Sequence, residues 1–299
     1  MPQRVAVTGS SGLIGSALCH ALRDRGDEVI RLVRRPGREA DEVTWDPGAG
    51  EIDLQALQGV SAVVNLAGAG IGDQRWTPEY KQLIRSSRVD ATTTIATAVA
   101  ALDGHVRFLS GSASGFYGDR GEQRLTERSD SGEGFLAGVV RDWEHAADPA
   151  VQAGAPTAYL RTGIVLAPDG GAASRMLPLA KWGLGGPLGS GRQWFPWIAL
   201  PDHVSAMLFL LDNPQITGPV NLVGPTPARQ KELAKALGAA YHRPAVLPAP
   251  SFALHAVLGE FASDVLTSAK IAPEVLQDNG FQWVSDTVDT VAEWLARTA

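Results

Sequence analysis

Eight residues near the start of the chain, Thr8-Gly9-Ser10-Ser11-Gly12-Leu13-Ile14-Gly15, leave few choices of fold. Three glycines, three residues apart, stand between an apolar run (Val5–Thr8) and an apolar-periodic stretch (Leu13–Arg25). In a strand–turn–helix unit the first glycine permits the tight turn. The second admits backbone N–H groups to a diphosphate, and the third lets helix and strand pack closely. The helix N-terminus then faces the anion. The spacing is GxxGxxG, a variant of the GxGxxG fingerprint. It predicts a dinucleotide held by Gly9, Ser11, Gly12, Leu13, Ile14 and Gly15.

The pattern that follows alternates short apolar runs with helical periodicity. Strands are expected at Glu28–Val33, Val43–Trp45, Ala62–Leu66, Val106–Leu109 and Thr157–Val165, and helices at Pro78–Leu102 and Gly134–Ala153. That alternation belongs to a parallel sheet with crossover helices. Beyond Val165 the texture changes to glycine-rich stretches, a Trp-Phe-Pro-Trp run, and helices at Asp202–Leu211, Ala228–Leu237, Phe252–Phe261 and Thr287–Leu295, with a strand at Val220–Val223. The expected fold is α/β: a Rossmann-type doubly wound parallel sheet with a smaller C-terminal, substrate-side lobe. The Rossmann core is placed at residues 1–165, with 196–224 returning to it. The smaller, mostly helical lobe is placed at 166–299.

Cofactor choice is read at the end of the second strand, where an NAD-binding chain usually carries Asp or Glu for the ribose 2′-hydroxyl. Here the residues are Leu32-Val33-Arg34-Arg35-Pro36. Guanidinium groups suit a 2′-phosphate in charge and geometry and cannot accept from a hydroxyl. Arg34 and Arg35 therefore favour NADP(H). Asp46, after the short third strand, is a candidate acceptor for the adenine amine. Leu66, Ala67 and Gly68 close the fourth strand with residues small enough for a dinucleotide to pass nearby.

With 26 Lys and Arg against 32 Asp and Glu, the net charge is −6, and no basic cluster suits nucleic acid. No apolar run approaches a membrane span. The chain begins Met-Pro-Gln-Arg and enters a strand pattern at once, so no signal peptide is expected. The single cysteine, Cys19, excludes an internal disulfide framework and fits a reducing, cytoplasmic compartment. The scattered histidines suggest no metal site. A small-molecule substrate and, at most, a second copy of the chain are the partners expected.

The segments Thr8–Gly15, Val64–Gly68, Arg85–Thr92, Ser110–Gly118, Arg161–Gly171 and Leu184–Trp197 together resemble the short-chain dehydrogenase/reductase superfamily in its extended form. More closely, the chain resembles the atypical group known as epimerase family proteins. The resemblance implies a Ser–Tyr–Lys site, with the Tyr and Lys spaced as YxxxK. Its tyrosine would be the proton donor or acceptor, and its lysine would hold the nicotinamide ribose. This chain departs from that pattern: four residues after Tyr80, Tyr117, Tyr159 and Tyr241 stand Ile84, Gly121, Gly163 and Ala245. The helix that would carry the pair reads Phe135-Leu136-Ala137-Gly138-Val139-Val140.

By the same resemblance Ser112 matches the site serine, with Ser110 two residues before it. Arg88 stands where ordinary members carry an asparagine, so both Ser112 and Arg88 are expected near the nicotinamide. Tyr117 is a candidate substitute for the missing tyrosine, with Arg88 lowering its pKa. Arg161 and Val165 lie in a segment like the one that lines the carboxamide, and Arg192 and Trp194 in one like the substrate-side loop. After Ile198, where relatives commonly carry a His and an Asp pair, this chain has Ala199, Pro201 and Asp202.

The function so implied is an NADP(H)-dependent oxidoreductase acting on a small carbonyl or sugar-like substrate without YxxxK. Ser112 would act as hydrogen-bond donor, aided by Tyr117 or Arg88. An NADP(H)-binding regulatory or interaction protein is the alternative, and a nucleotide-sugar epimerase or dehydratase a lesser one. Gly111–Gly115 is no nucleophile elbow, because Ala113 occupies its centre.

Overall fold

The computed structural model describes residues 2–102 and 106–299. Its main sheet contains β1 (Arg4–Thr8), β2 (Glu28–Val33), β3 (Glu42–Asp46), β4 (Glu51–Ile52), β5 (Ala62–Asn65), β6 (Arg107–Ala113), β7 (Thr157–Thr162) and β8 (Gly218–Leu222). Their spatial order is β8-β7-β6-β5-β1-β2-β3-β4. All neighbours are parallel except β3 and β4. The chain leaves β1 toward β2 and later returns to β1's other side as β5. A crevice opens at such a reversal, outside the carboxyl ends of the strands.

Strand side chains alternate between two faces, and each face has its own core. Val5, Val7, Val64, Leu109 and Leu160 pack against α1 (Leu13–Asp24) and α4 (Leu200–Asp212). Ala6, Val63 and Phe108 pack against α2 (Pro78–Ala101) on the opposite side, where α3 (Phe135–His145) also packs on α2 and β6. In α1, Leu18 and Leu22 are one turn apart and fully buried. Each contributes roughly 1.5–3 kcal/mol by leaving water. Helix α2 starts where Thr77 caps it by accepting from the Tyr80 amide, with Pro78 in the first turn.

After β7 the chain forms a small sheet of Ile164–Ala167, Gly170–Gly171 and Trp197–Ala199. Leu166, Leu177, Phe195, Trp197, Leu237 and Leu295 belong to its core. The chain then re-enters the main sheet through α4 and β8. Residues expected as one helix over 134–153 form two, α3 and Asp148–Gln152, because Pro149 begins a new helix in its first turn. A helix at Ala173–Lys181 lies in the stretch where only glycine-rich texture was legible. Among the described residues, no helix is long and apolar enough to cross a membrane.

Candidate active site

The glycine turn lies at the crevice. Gly9 has a φ of +62°, and a Cβ there would stand 2.6 Å from the Leu66 carbonyl oxygen at the end of β5. A Cβ at Gly15 would overlap the Gly9 carbonyl. The turn is closed by a hydrogen bond from the Gly12 amide to the Gly9 carbonyl, 3.0 Å. Gly12 caps α1 with no side-chain hydrogen bond, and the first turn carries no acid. The helix therefore presents Leu13, Ile14 and Gly15 with positive end charge and no internal anion. Ser11 and Gly12 are exposed, so no side chain blocks the bend.

The floor beside this turn is a buried polar chain. Thr8 Oγ1 donates to Asn65 Oδ1 at 2.6 Å and accepts from the amides of Leu66 and Ala67 at 3.0 and 3.1 Å. Asn65 Nδ2 and the Trp143 indole N–H both donate to Thr92 Oγ1, at 2.8 and 2.9 Å. The crevice wall is thereby tied to α2 and α3. Ser110 is fully buried in β6 next to Asn65 of β5.

At the end of β2 the two arginines part ways. Arg35 is held in a two-pronged pair with Glu42, 2.8 and 2.7 Å, and these bonds hold the carboxyl well below the usual range, at about 2. Arg34 is exposed and makes no hydrogen bond or ion pair among the described residues. Asp46 turns its carboxylate back onto the amides of Gly48 and Ala49, 2.9 and 3.2 Å.

Arg88, on α2, lies beside Gly68: a Cβ at Gly68 would be 3.3 Å from its guanidinium carbon. The guanidinium sits 5.1 Å from the centre of the Trp143 ring and donates to the Ile84 carbonyl at 2.8 Å. Burial, with no carboxylate beside it, lowers its pKa to about 10.

Ser112 and Arg161 face each other in register across β6 and β7. Ser112 donates its hydroxyl proton to Glu144 of α3 at 2.6 Å, and Arg161 grips the same carboxylate at 2.8 and 2.9 Å. The serine's one hydroxyl proton is thus directed at Glu144. Burial opposes the Arg161 charge, and its hydrogen bonds to Glu144 outweigh that, leaving its pKa raised. Arg161 stacks at 3.5 Å over Phe116 and donates to the Tyr117 hydroxyl at 3.1 Å. Its side chain is thus taken up by Glu144, Phe116 and Tyr117.

Tyr117 is taken up in the same way. Its ring is 0% exposed, and its hydroxyl donates to Asn221 at 2.7 Å. Burial raises its pKa despite Arg161, and the cation beside it is not Arg88. Val165 is half-buried against the core beside α1. Arg192 is exposed. Trp194 lies between Arg229 and Lys270, 4.3 and 4.6 Å from its ring, and donates to Glu122 at 2.9 Å. Trp194 thus belongs to a cluster with Glu122, Arg229 and Lys270.

Two polar residues, Glu144 of α3 and His203 of α4, carry no local motif in the sequence, and a third, Asp202, has only its place after Ile198. Asp202, in α4, accepts from the amides of Val284 and Ser285 at 2.7 and 2.9 Å and so anchors the C-terminal segment. His203, fully buried, lies 2.9 Å from Thr162 Oγ1. Because that hydroxyl donates to the Leu160 carbonyl, the histidine Nε2 is the donor and Nδ1 is left unpartnered. Burial lowers its pKa to about 3.

The glycine cradle beneath an uncapped helix start fits a dinucleotide diphosphate. The NAD dependent epimerase/dehydratase family matches residues 5–224, and a domain of unknown function matches residues 249–295. The chain is 45% identical over 285 residues to an epimerase family protein of Mycobacterium bovis, covering 95% of this chain and 94% of that one. The structure of human epimerase family protein SDR39U1 with NADPH superposes with a TM-score of 0.89 at 30% identity, covering 99% of this chain and 100% of that one. A nucleoside-diphosphate sugar epimerase from Corynebacterium glutamicum superposes at 0.82 with 35% identity, over 99% of this chain and 59% of that one. The cradle, the sheet reversal and the match over more than half its length agree: this chain belongs to the NAD dependent epimerase/dehydratase family.

Proposed function

We propose that the chain is an NADP(H)-dependent oxidoreductase acting on a small carbonyl or sugar-like substrate. The observation that carries this reading is the open Gly9–Gly15 cradle on the uncapped start of α1, with unpaired Arg34 at the end of β2. Gly9, Ser11, Gly12, Leu13, Ile14 and Gly15 would hold the diphosphate. Leu66, Ala67 and Gly68 would flank the nicotinamide half, and Arg34 would meet the 2′-phosphate. NADPH in the human relative's structure supports the same choice of cofactor. When bound, the cofactor supplies or accepts the hydride.

The chain's own part is to orient and polarise. Ser112, its proton given to Glu144, offers lone pairs to a hydroxyl or amide N–H. Arg88 offers unused N–H donors to an oxygen of the substrate. Purified protein should oxidise NADPH with at least one member of a carbonyl panel, and Arg88→Gln should abolish that turnover. Tight NADPH binding without turnover on any compound would instead support a non-catalytic NADP(H)-binding protein. That second reading is favoured by the burial of Tyr117 and by an α3 that carries neither Tyr nor Lys.

A further inference from the structure

The described residues hold three arginines with strongly desolvated guanidinium groups, and two of them are satisfied internally. Arg107, 3% exposed, donates to the backbone carbonyls of Pro156, Leu210, Pro214 and Ile216. Arg161, 4% exposed, is neutralised by Glu144. Arg88 has one carbonyl, Ile84, and no carboxylate. Its guanidinium carries five N–H donors in a planar fork, so most of them are unused.

The surroundings hold that fork in place. Ser87 Oγ accepts from the Ala69 amide at 3.0 Å, and the Tyr80 hydroxyl donates to the Gly70 carbonyl, so α2 grips the loop after β5 on both sides of Arg88. Trp143 lies under the cation, its own N–H fixed to Thr92. Glycine at 68 keeps the approach clear, two residues beyond the Leu66 carbonyl that abuts Gly9. The next residue along α3, Glu144, holds Ser112. A guanidinium with most of its donors unused thus lies beside Gly68 and over Trp143, the residue before the Glu144 that holds Ser112. A desolvated cation without a counter-charge is costly, and a carboxylate matches its fork in geometry and charge.

We propose that Arg88 is the docking point for a carboxylate on the substrate, which makes the substrate class a carbonyl or hydroxy compound bearing a carboxylate. This rests on the NADP(H)-dependent reading above. The cofactor's diphosphate has its own cradle at Gly9–Gly15, so the Arg88 anion belongs to the second ligand.

The test is calorimetric titration of NADP⁺-saturated protein with acetate, propionate and benzoate, each against its primary amide. The expected result is at least tenfold tighter binding of the carboxylates. Arg88→Gln should erase that difference, and Arg88→Lys should retain part of it. NADPH affinity should stay within about twofold in both variants. Equal binding of acids and amides by the wild-type protein would overturn the proposal without recourse to any variant. So would an Arg88→Gln protein that loses NADPH and keeps its carboxylate preference, since the arginine would then serve the cofactor. Failure of wild-type protein to bind NADPH at all would overturn the underlying reading instead.

Discussion

Ser112 and Glu144 share one proton across 2.6 Å, with Ser112 as the donor, and Arg161 fixes the acceptor from its other side. The helix that lacks the tyrosine and lysine of ordinary relatives thus still reaches the serine, through a carboxylate. The direction of that bond decides what Ser112 can offer. With that proton directed at Glu144, the hydroxyl's lone pairs are what it offers on its other side.

Removing either end of that bond has unequal costs. Glu144→Ala leaves the buried Arg161 charge unpaired and should lower unfolding free energy by about 3–5 kcal/mol. Ser112→Ala removes one hydrogen bond and should cost about 1 kcal/mol. Urea denaturation of the two variants checks this; equal losses would mean that the ion pair is not the anchor.

Gly15→Ala drives a methyl group into the Gly9 carbonyl and should weaken NADPH binding at least tenfold. Gly138→Ala is the control, because the nearest atom to its added carbon, 3.6 Å away, is the end of the Arg141 side chain. It should leave NADPH affinity unchanged and stabilise α3 by up to about 1 kcal/mol. Fluorescence titration and thermal melts separate the two effects.

Arg34→Ala should raise the Kd for NADPH about tenfold and leave NADH unaffected. Arg35→Ala should also weaken NADPH, through the Glu42 carboxylate it uncovers, and adding Glu42→Gln should recover the loss. An equal effect of Arg34→Ala on both cofactors would remove the basis for choosing NADP(H).

His203 predicts a pH effect of definite sign. Its folded pKa, about 3, lies below the ordinary histidine value of 6.5. Between the two the unfolded chain binds the proton and the folded chain does not, so stability falls as pH drops from 6.5 toward 3. The slope from this one group is about 1.4 kcal/mol per pH unit. Buried Glu127 and Asp202, both raised by burial, act with the opposite sign, favouring the folded state as pH falls. The clean measurement is therefore the difference in slope between wild type and His203→Gln over pH 5.0–6.5. Parallel slopes would show that the imidazole is not held neutral.

Much of the fold is written in local pattern. Glu28–Val33 is a short apolar run broken only by Arg31, and its observed bounds match the reading, while the glycine turn lies between strand and helix as its spacing requires. The site was legible only where one segment carries its own geometry. Tyr117 looked available because spacing from Ser112 says nothing of burial. In fact the short helical turn Ser114–Tyr117 swings its ring inward. Arg161 and Glu144 lie on different elements, and only the β6–β7 register and the docking of α3 bring them together at Ser112. Arg34 and Arg35 are indistinguishable as letters; Glu42, on the neighbouring strand, tells them apart.

The placement of β8 beside β7 carries a last consequence. The cofactor half borrows its outermost ribbon from a stretch made only after the smaller lobe has begun. A polypeptide cut after residue 165 would bare the hydrogen-bonding groups along one side of Thr157–Thr162, an adhesive margin that invites strangers to pair with it. The stretch up to residue 165 therefore cannot cover its own sheet margin without Gly218–Leu222.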